Sequence, residues 1–117
     1  MRALITGLVL SLAAGHAGAE EARRIESRDV FVGLIADRQL ARFGIRLSVT
    51  PAGEIAGRAF GKPVTGAWRW SDGYFCRDLR FGDRELGPNC QVVEKRGQTL
   101  RFIADKGAGD HADLRLD

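Results

Sequence analysis

Turn-forming residues recur about every ten positions from residue 44 to the C-terminus of this 117-residue chain. They separate short segments in which apolar and polar residues alternate, so that Ile45, Leu47 and Val49 point to one face of a strand. The pattern predicts strands at 44–50, 55–60, 64–72, 74–81, 90–95, 99–104 and 111–116. Six or seven short strands are typical of an all-β antiparallel meander, closed into a small barrel because closure removes exposed edges.

The segments between these strands carry glycine or proline. Lys62-Pro63 is predicted to break a strand, because proline cannot donate a hydrogen bond to a central ladder. The Gly- and Pro-containing stretch 82–89 is predicted as a loop. Before the first strand, Ser27 can cap a short helix whose apolar residues Phe31, Leu34 and Ile35 fall at helical spacing.

The first nineteen residues have the three parts of a secretory signal peptide. Arg2 supplies the positive start, twelve uncharged and mostly apolar residues follow, and Ala17-Gly18-Ala19 forms a cleavage site. Twelve helical residues at about 1.5 Å each are too short to cross a hydrocarbon core of roughly 30 Å. We therefore expect cleavage after Ala19, a periplasmic or secreted protein, and no stable membrane insertion.

The remaining part, residues 20–117, is the length of one domain. Its two cysteines, Cys76 and Cys90, are predicted to form a disulfide, because an isolated pair in an oxidising compartment most simply bonds to itself. A metal site is not expected, since His111 is the one histidine in this part and four ligands are not available.

Basic residues slightly outnumber acidic ones, and the formal net charge is +3. The two signs alternate along the chain, whereas a nucleic-acid footprint would cluster basic residues on one face. No nucleic-acid partner is expected.

One segment, residues 66–78, concentrates aromatic and charged side chains. Trp68 and Trp70 are two positions apart and share one face of a strand, where they would either fill the core or line a ligand pocket. Arg77 and Asp78 face opposite sides of their strand. We take Trp68, Trp70, Tyr74 and Arg77 as candidate ligand-binding residues.

A second cluster lies in the Gly-rich stretch 105–111. Lys106, Asp110 and His111 are candidates for an interaction loop. A histidine beside an aspartate can act as a general base. However, no nucleophile-elbow pattern G-x-S-x-G occurs in the chain, and Gly107-x-Gly109 is an incomplete phosphate motif. No catalytic residue and no cofactor is predicted from these residues.

From Leu40 to Leu116 the chain resembles a family of short exported proteins of alphaproteobacteria, whose members often carry the name dihydrodipicolinate reductase. The matching residues are 47–51, Gly53, Gly57, 64–66, Trp68, Trp70, 73–79, 89–91, 101–102, 105–107 and 109–110. The resemblance implies that reductase activity, which needs a nicotinamide cofactor and a Gly-rich turn between strand and helix. Gly66-x-Trp68 gives a weaker likeness to calycin-type barrels. Periplasmic lysozyme inhibitors are similar in size, export, barrel character and single disulfide.

Three functions remain open. The chain is expected to be a non-enzymatic binding or interaction module of the cell envelope, taking a ligand through the Trp68–Trp70 face or a barrel mouth. An alternative is an inhibitor that contacts an envelope hydrolase through the loop from Lys106 to His111. The third is the reductase that the family name implies. An open cavity beside the tryptophans favours the first, a filled barrel with a protruding loop the second, and a nucleotide cleft the third.

Overall fold

Eight antiparallel strands close into a single barrel in the computed structural model, which describes residues 21–117. The elements in chain order are β1 (Arg23–Ile25), α1 (Arg28–Ile35), β2 (Gln39–Arg42), β3 (Ile45–Val49), β4 (Glu54–Ala59), β5 (Lys62–Ser71), β6 (Tyr74–Phe81), β7 (Arg84–Arg96), β8 (Thr99–Ile103), one 3-10 turn (Asp105–Gly107) and β9 (His111–Leu116). Strands β2 to β9 pair in sequence order, and β9 closes the barrel by pairing with both β8 and β2. The ninth strand, β1, extends the sheet beside the second half of β7.

The predicted barrel, helix and disulfide are confirmed, whereas the predicted count of six or seven strands is wrong. Strands β1 and β2 were missed, and so was the first part of β7, which was predicted as the loop 82–89. Residues 84–91 pair with β6 alone, because the pairing of β7 with β8 begins at Val92. Pro88 therefore lies on an unpaired edge, where its missing N–H breaks no ladder.

The strand break predicted at Lys62-Pro63 is also wrong. The turn is made by Phe60 and Gly61, and both Lys62 and Pro63 belong to β5. Proline is tolerated there because it stands near the start of the strand. Its carbonyl oxygen still accepts a hydrogen bond from the backbone N–H of Gly82, at 2.8 Å.

Helix α1 covers one end of the barrel. The Ser27 hydroxyl accepts a hydrogen bond from the Val30 backbone N–H at 3.1 Å, which satisfies one of the unpaired donors at the helix start. Phe31 and Ile35 lie one turn apart on the same face, and both are fully buried. The helix therefore seals this end, which we call the closed end.

The turns of the meander alternate between the two ends of the barrel. The β3–β4, β5–β6 and β7–β8 turns lie at the closed end with α1. The β2–β3, β4–β5, β6–β7 and β8–β9 connections lie at the opposite end, which we call the open end.

The disulfide joins the two strands of one hairpin. Cys76 on β6 and Cys90 on β7 are directly opposite each other in the ladder, and their Cα atoms are 3.9 Å apart. The disulfide spans the β6–β7 turn. It links to β6 the part of β7 that does not pair with β8.

The predicted signal peptide, residues 1–19, lies outside the described residues. Within residues 21–117 no helix has the length and apolar character needed to cross a membrane.

Candidate functional site

The interior of the barrel is open toward the end opposite α1. A cavity of about 330 Å³ occupies it, which is at the lower end of the range for small-molecule sites. Apolar side chains from five strands form most of its wall: Leu40, Ile45, Leu47, Val49, Ile55, Leu79, Ala112 and Leu114. The cavity can therefore take an apolar group from the open end.

The floor of this cavity is a layer of aromatic rings. Phe75 and Phe102 line the cavity and pack against each other with ring centroids 5.2 Å apart. Below them, the ring of Phe31 on α1 packs against that of Phe75, with ring centroids 5.2 Å apart. The Phe31 ring also packs against the rings of Trp68 and Trp70, at centroid distances of 5.2 Å and 5.1 Å. These rings separate the cavity from the helix and fill the closed half of the barrel.

The two tryptophans hold the helix segment in place. The Trp68 indole N–H donates to the carbonyl oxygen of Thr50 at 2.9 Å, and the Trp70 indole N–H donates to that of Glu26 at 3.2 Å. Trp68 is only 6% exposed. Neither lines the cavity, and both pack against Phe31, on the closed side of the cavity floor.

Arg77 is the candidate residue that does face the cavity. It projects inward from β6, between Phe75 and Leu79, which also line the cavity. Its Nη1 donates to the carbonyl oxygen of Gly87 at 2.7 Å. Burial lowers the pKa of the Arg77 guanidinium, and the neighbouring charge of Asp78, on the opposite face, compensates only in part.

No ion pair formed within residues 21–117 includes Arg77. A positive charge is thus half-buried in an apolar wall with one carbonyl as its hydrogen-bond partner. Guanidinium carries five N–H donors in a planar fork, which matches carboxylate and phosphate groups. An anionic group of a ligand would supply the negative charge that pairs with Arg77.

Asp110 and His111 also reach the cavity, at the open end, whereas Lys106 does not. The Lys106 ammonium lies 5.3 Å from the centre of the Tyr74 ring, on the outside of the barrel. The Arg24 guanidinium covers the same ring at 5.0 Å. Tyr74 and Lys106 therefore come together away from the cavity, and Arg77, Asp110 and His111 at its wall.

The loop between β8 and β9 is held by one amide side chain. The Asn89 Nδ2 donates to Asp105 Oδ1 at 2.8 Å, and its Oδ1 accepts from the Asp105 backbone N–H at 3.0 Å. The buried Gln91, which also lines the cavity, donates from its Nε2 to Asn89 Oδ1 at 3.3 Å. These bonds join the cavity wall to the loop that carries Asp110.

Sequence reasoning missed the apolar wall itself and the contribution of Arg42 at the mouth. The alternation of Ile45, Leu47 and Val49 marked an inward face, and it was the one signal that could have found the wall. Within residues 21–117, no group of three or more His, Cys, Asp or Glu side chains stands close enough to hold a metal ion.

Comparison with protein-family models, with curated proteins and with solved structures found no significant match to this chain. The resemblance to the exported family, and the reductase activity that its name implies, stay predictions.

Proposed function

We propose that the protein is an exported, non-enzymatic binding protein of the cell envelope, which holds a small acidic amphiphile in the barrel. The apolar body of the ligand lies in the cavity, and its carboxylate or phosphate contacts Arg77. The observation that carries this proposal is the half-buried Arg77 guanidinium, which has no carboxylate partner within residues 21–117 and faces an apolar cavity of about 330 Å³.

Burial of the Arg77 guanidinium carries an energetic cost. Holding a charge in an apolar wall is unfavourable unless it is paired. A ligand anion removes this cost when it binds, and a charge-assisted bidentate contact is stronger than a neutral hydrogen bond. The same contact determines the orientation of the ligand in the cavity, because its anionic group must lie at Arg77.

The apolar wall sets the second property of the ligand. Each buried methylene contributes about 0.8 kcal/mol, or roughly fourfold in affinity. In a series of linear carboxylates, affinity is expected to rise by that factor per methylene until the cavity is full and then to level off.

The test is calorimetric titration with dodecanoate, dodecanol and dodecylamine. Dodecanoate is expected to bind most tightly and dodecylamine least. Arg77→Met should reduce the affinity for dodecanoate by roughly 10- to 100-fold, the loss of a hydrogen bond to a charged group, and leave that for dodecanol nearly unchanged. Arg69→Met, which removes an exposed arginine from the outer face of β5, serves as the matched control. Equal affinity for the acid and the alcohol would contradict the proposal.

Export rests on the residue pattern before Glu20, and the disulfide is compatible with it. Intact-mass analysis of protein recovered from the periplasm, with and without a thiol reagent, tests this part. We expect a chain that begins at Glu20 and takes up no reagent before reduction. A retained leader, or two labelled cysteines, would overturn it.

A further inference from the structure

The open end of the barrel carries exposed aromatic residues on two neighbouring turns. Phe43, on the β2–β3 turn, is 92% exposed, and Phe60, on the β4–β5 turn, is 64% exposed. Leu86, near the β6–β7 turn, is 46% exposed. Among the described residues, Val30 on α1 is the one large exposed apolar side chain at the closed end. Exposed apolar groups are thus concentrated around the cavity mouth.

The two aromatic turns touch each other. The Phe60 backbone N–H donates to the carbonyl oxygen of Gly44 at 2.7 Å. The Phe60 ring lies against Gly44 so closely that a Cβ at that position would overlap it. Phe43 precedes Gly44 in the chain, so the exposed rings of Phe43 and Phe60 lie on adjoining turns. We call these two residues the tip patch.

Phe60 is held outward by an unfavourable backbone. Its φ is 50°, and that of Gly61 is 82°, as in the tight turn that normally selects Asn, Asp or Gly at the first position. A bulky residue there is a strained outlier, and strain of this kind concentrates at functional sites. Although the Phe60 ring packs on Gly44, most of its surface stays exposed and is available for a contact outside the barrel.

The two turns of the tip patch carry charges of one sign. The turn segments 42–46 and 58–62 contain four basic residues and no acidic one: Arg42, Arg46, Arg58 and Lys62. Arg46 pairs with Asp117, whereas none of the ion pairs within residues 21–117 includes Arg42, Arg58 or Lys62. The patch is therefore apolar at its tip and positively charged around it.

We propose that the tip patch docks the open end of the barrel onto a membrane surface that contains anionic lipids. Aromatic residues on projecting turns reach the boundary between headgroups and acyl chains, and the basic residues around them contact the negative surface. A second copy of the chain fits less well, because facing patches would bring together six basic residues that none of the ion pairs within residues 21–117 includes. Docked in this way, the cavity mouth faces the lipid.

The test is flotation with vesicles of phosphatidylcholine, with and without 30% phosphatidylglycerol, at about 0.1 M salt. Protein is recovered from the periplasm of an expression host, so that all variants share one N-terminus. Wild type is expected to float with the anionic vesicles and to be released as salt rises. The double variant Phe43→Ser, Phe60→Asn should bind them at least tenfold more weakly, since each phenylalanine loses its apolar contact.

Two sets of variants separate this surface from the rest of the molecule. Arg58→Gln and Lys62→Gln should each reduce binding about fivefold, the effect of one basic residue near an anionic surface. The matched controls are Val30→Ser, which removes the exposed apolar group of the closed end, and Asp72→Asn, in the corresponding turn there. Both should float as wild type does.

The proposal is overturned if wild type binds neutral and anionic vesicles equally or neither, or if the double variant binds as wild type. It is also overturned if sedimentation shows a dimer that the double variant abolishes, because the patch would then be an interface between copies. Failure here is distinguishable from failure of the proposed function. The double variant should keep its affinity for dodecanoate in solution, and Arg77→Met should keep its affinity for anionic vesicles.

Discussion

Phe60 and Asp72 occupy the same position in turns of the same kind, at opposite ends of β5, with φ values of 50° and 52°. Each is followed by a glycine, Gly61 with φ 82° and Gly73 with φ 83°. Aspartate is favoured in this geometry and phenylalanine is not. The closed end therefore has a turn suited to stability, whereas the open end keeps a strained one whose side chain faces outward.

This difference predicts a stabilising substitution. Phe60→Asn should raise the free energy of unfolding by about 1 kcal/mol, because asparagine tolerates the positive φ that phenylalanine resists. Asp72→Phe should lower it by a similar amount. Urea denaturation of both variants measures the two changes. A loss of stability in Phe60→Asn would show that the ring contact with Gly44 outweighs the strain.

The aromatic layer predicts unequal costs for the two tryptophans. Trp68→Ala should destabilise the protein by about 3–5 kcal/mol, since Trp68 is buried against Phe31 and its N–H bond to Thr50 is lost. Trp70 is only partly buried, so Trp70→Ala should cost less. Denaturant melts test the order. Near-neutral results for both would refute the assignment of Trp68 to the core.

The amide of Asn89 predicts a local effect on the loop between β8 and β9. Asn89→Ala removes two hydrogen bonds to Asp105, which should lower the free energy of local opening by about 2 kcal/mol. Hydrogen exchange at the Gly107 and Gly109 amides, which both donate to the Ala104 carbonyl, reports the opening. Exchange in β4 should be unchanged. Uniformly faster exchange would mean that Asn89 stabilises the whole barrel instead.

The pair Arg101–Asp113 predicts the direction of a pH effect. Arg101 donates to both carboxylate oxygens of Asp113, at 2.8 and 3.0 Å, and this lowers the pKa of Asp113. A carboxyl group with a lowered folded-state pKa stabilises the protein above its unfolded value of about 3.9, and this stabilisation is lost as pH falls through the folded value. Stability should therefore decrease below about pH 4.

Asp113→Asn provides the control for this effect. The variant should be less stable than wild type near pH 6, and its stability should fall less steeply on acidification. Urea melts at pH 6 and pH 3 give both numbers. A wild-type slope in the variant would mean that other carboxylates, such as Asp117 beside Arg115, account for the acid sensitivity.

The alternating pattern was enough to predict the barrel, because inward and outward residues alternate strictly in strands such as β3. It failed at β7, where Gly87 and Pro88 resemble loop residues but lie on an edge that only β6 pairs. Helix α1 was predicted from the spacing of Phe31 and Ile35. Its place at one end of the barrel depends on long-range contacts with Trp68 and Trp70, which local spacing does not contain.

The candidate site was predictable only in part. Strand alternation placed Arg77 and Asp78 on opposite faces, and the structure confirms that arrangement. The local pattern could not show that the interior is open, because the cavity is lined by residues from seven strands that leave its centre unfilled. Phe60 was predicted as the end of the strand 55–60, and Phe43 lies just before the predicted strand 44–50. Only the structure shows both side chains to be exposed.

A substitution that fills the cavity should reduce the affinity for ligand without reducing the stability of the fold. Ala112 lies on β9, lines the cavity, and is directly opposite Phe102 in the ladder. A phenylalanine at this position would occupy the cavity beside the Phe102 ring, where cross-strand aromatic pairs contribute roughly 0.2–1 kcal/mol. Ala112→Phe is therefore expected to be as stable as wild type or slightly more stable, as cavity-filling changes often are. Its affinity for dodecanoate should fall at least tenfold.

The matched control is Ala56→Phe, which adds the same ring to an exposed position on the outside of β4. It should leave dodecanoate binding unchanged, so that a loss in Ala112→Phe reports the cavity and not the added apolar surface. Calorimetric titration and urea denaturation of both variants complete the test. If Ala112→Phe is well folded and still binds dodecanoate as wild type does, the ligand lies outside the barrel. The role proposed for Arg77 would then be wrong, because a ligand bound outside could not reach a guanidinium that faces the interior.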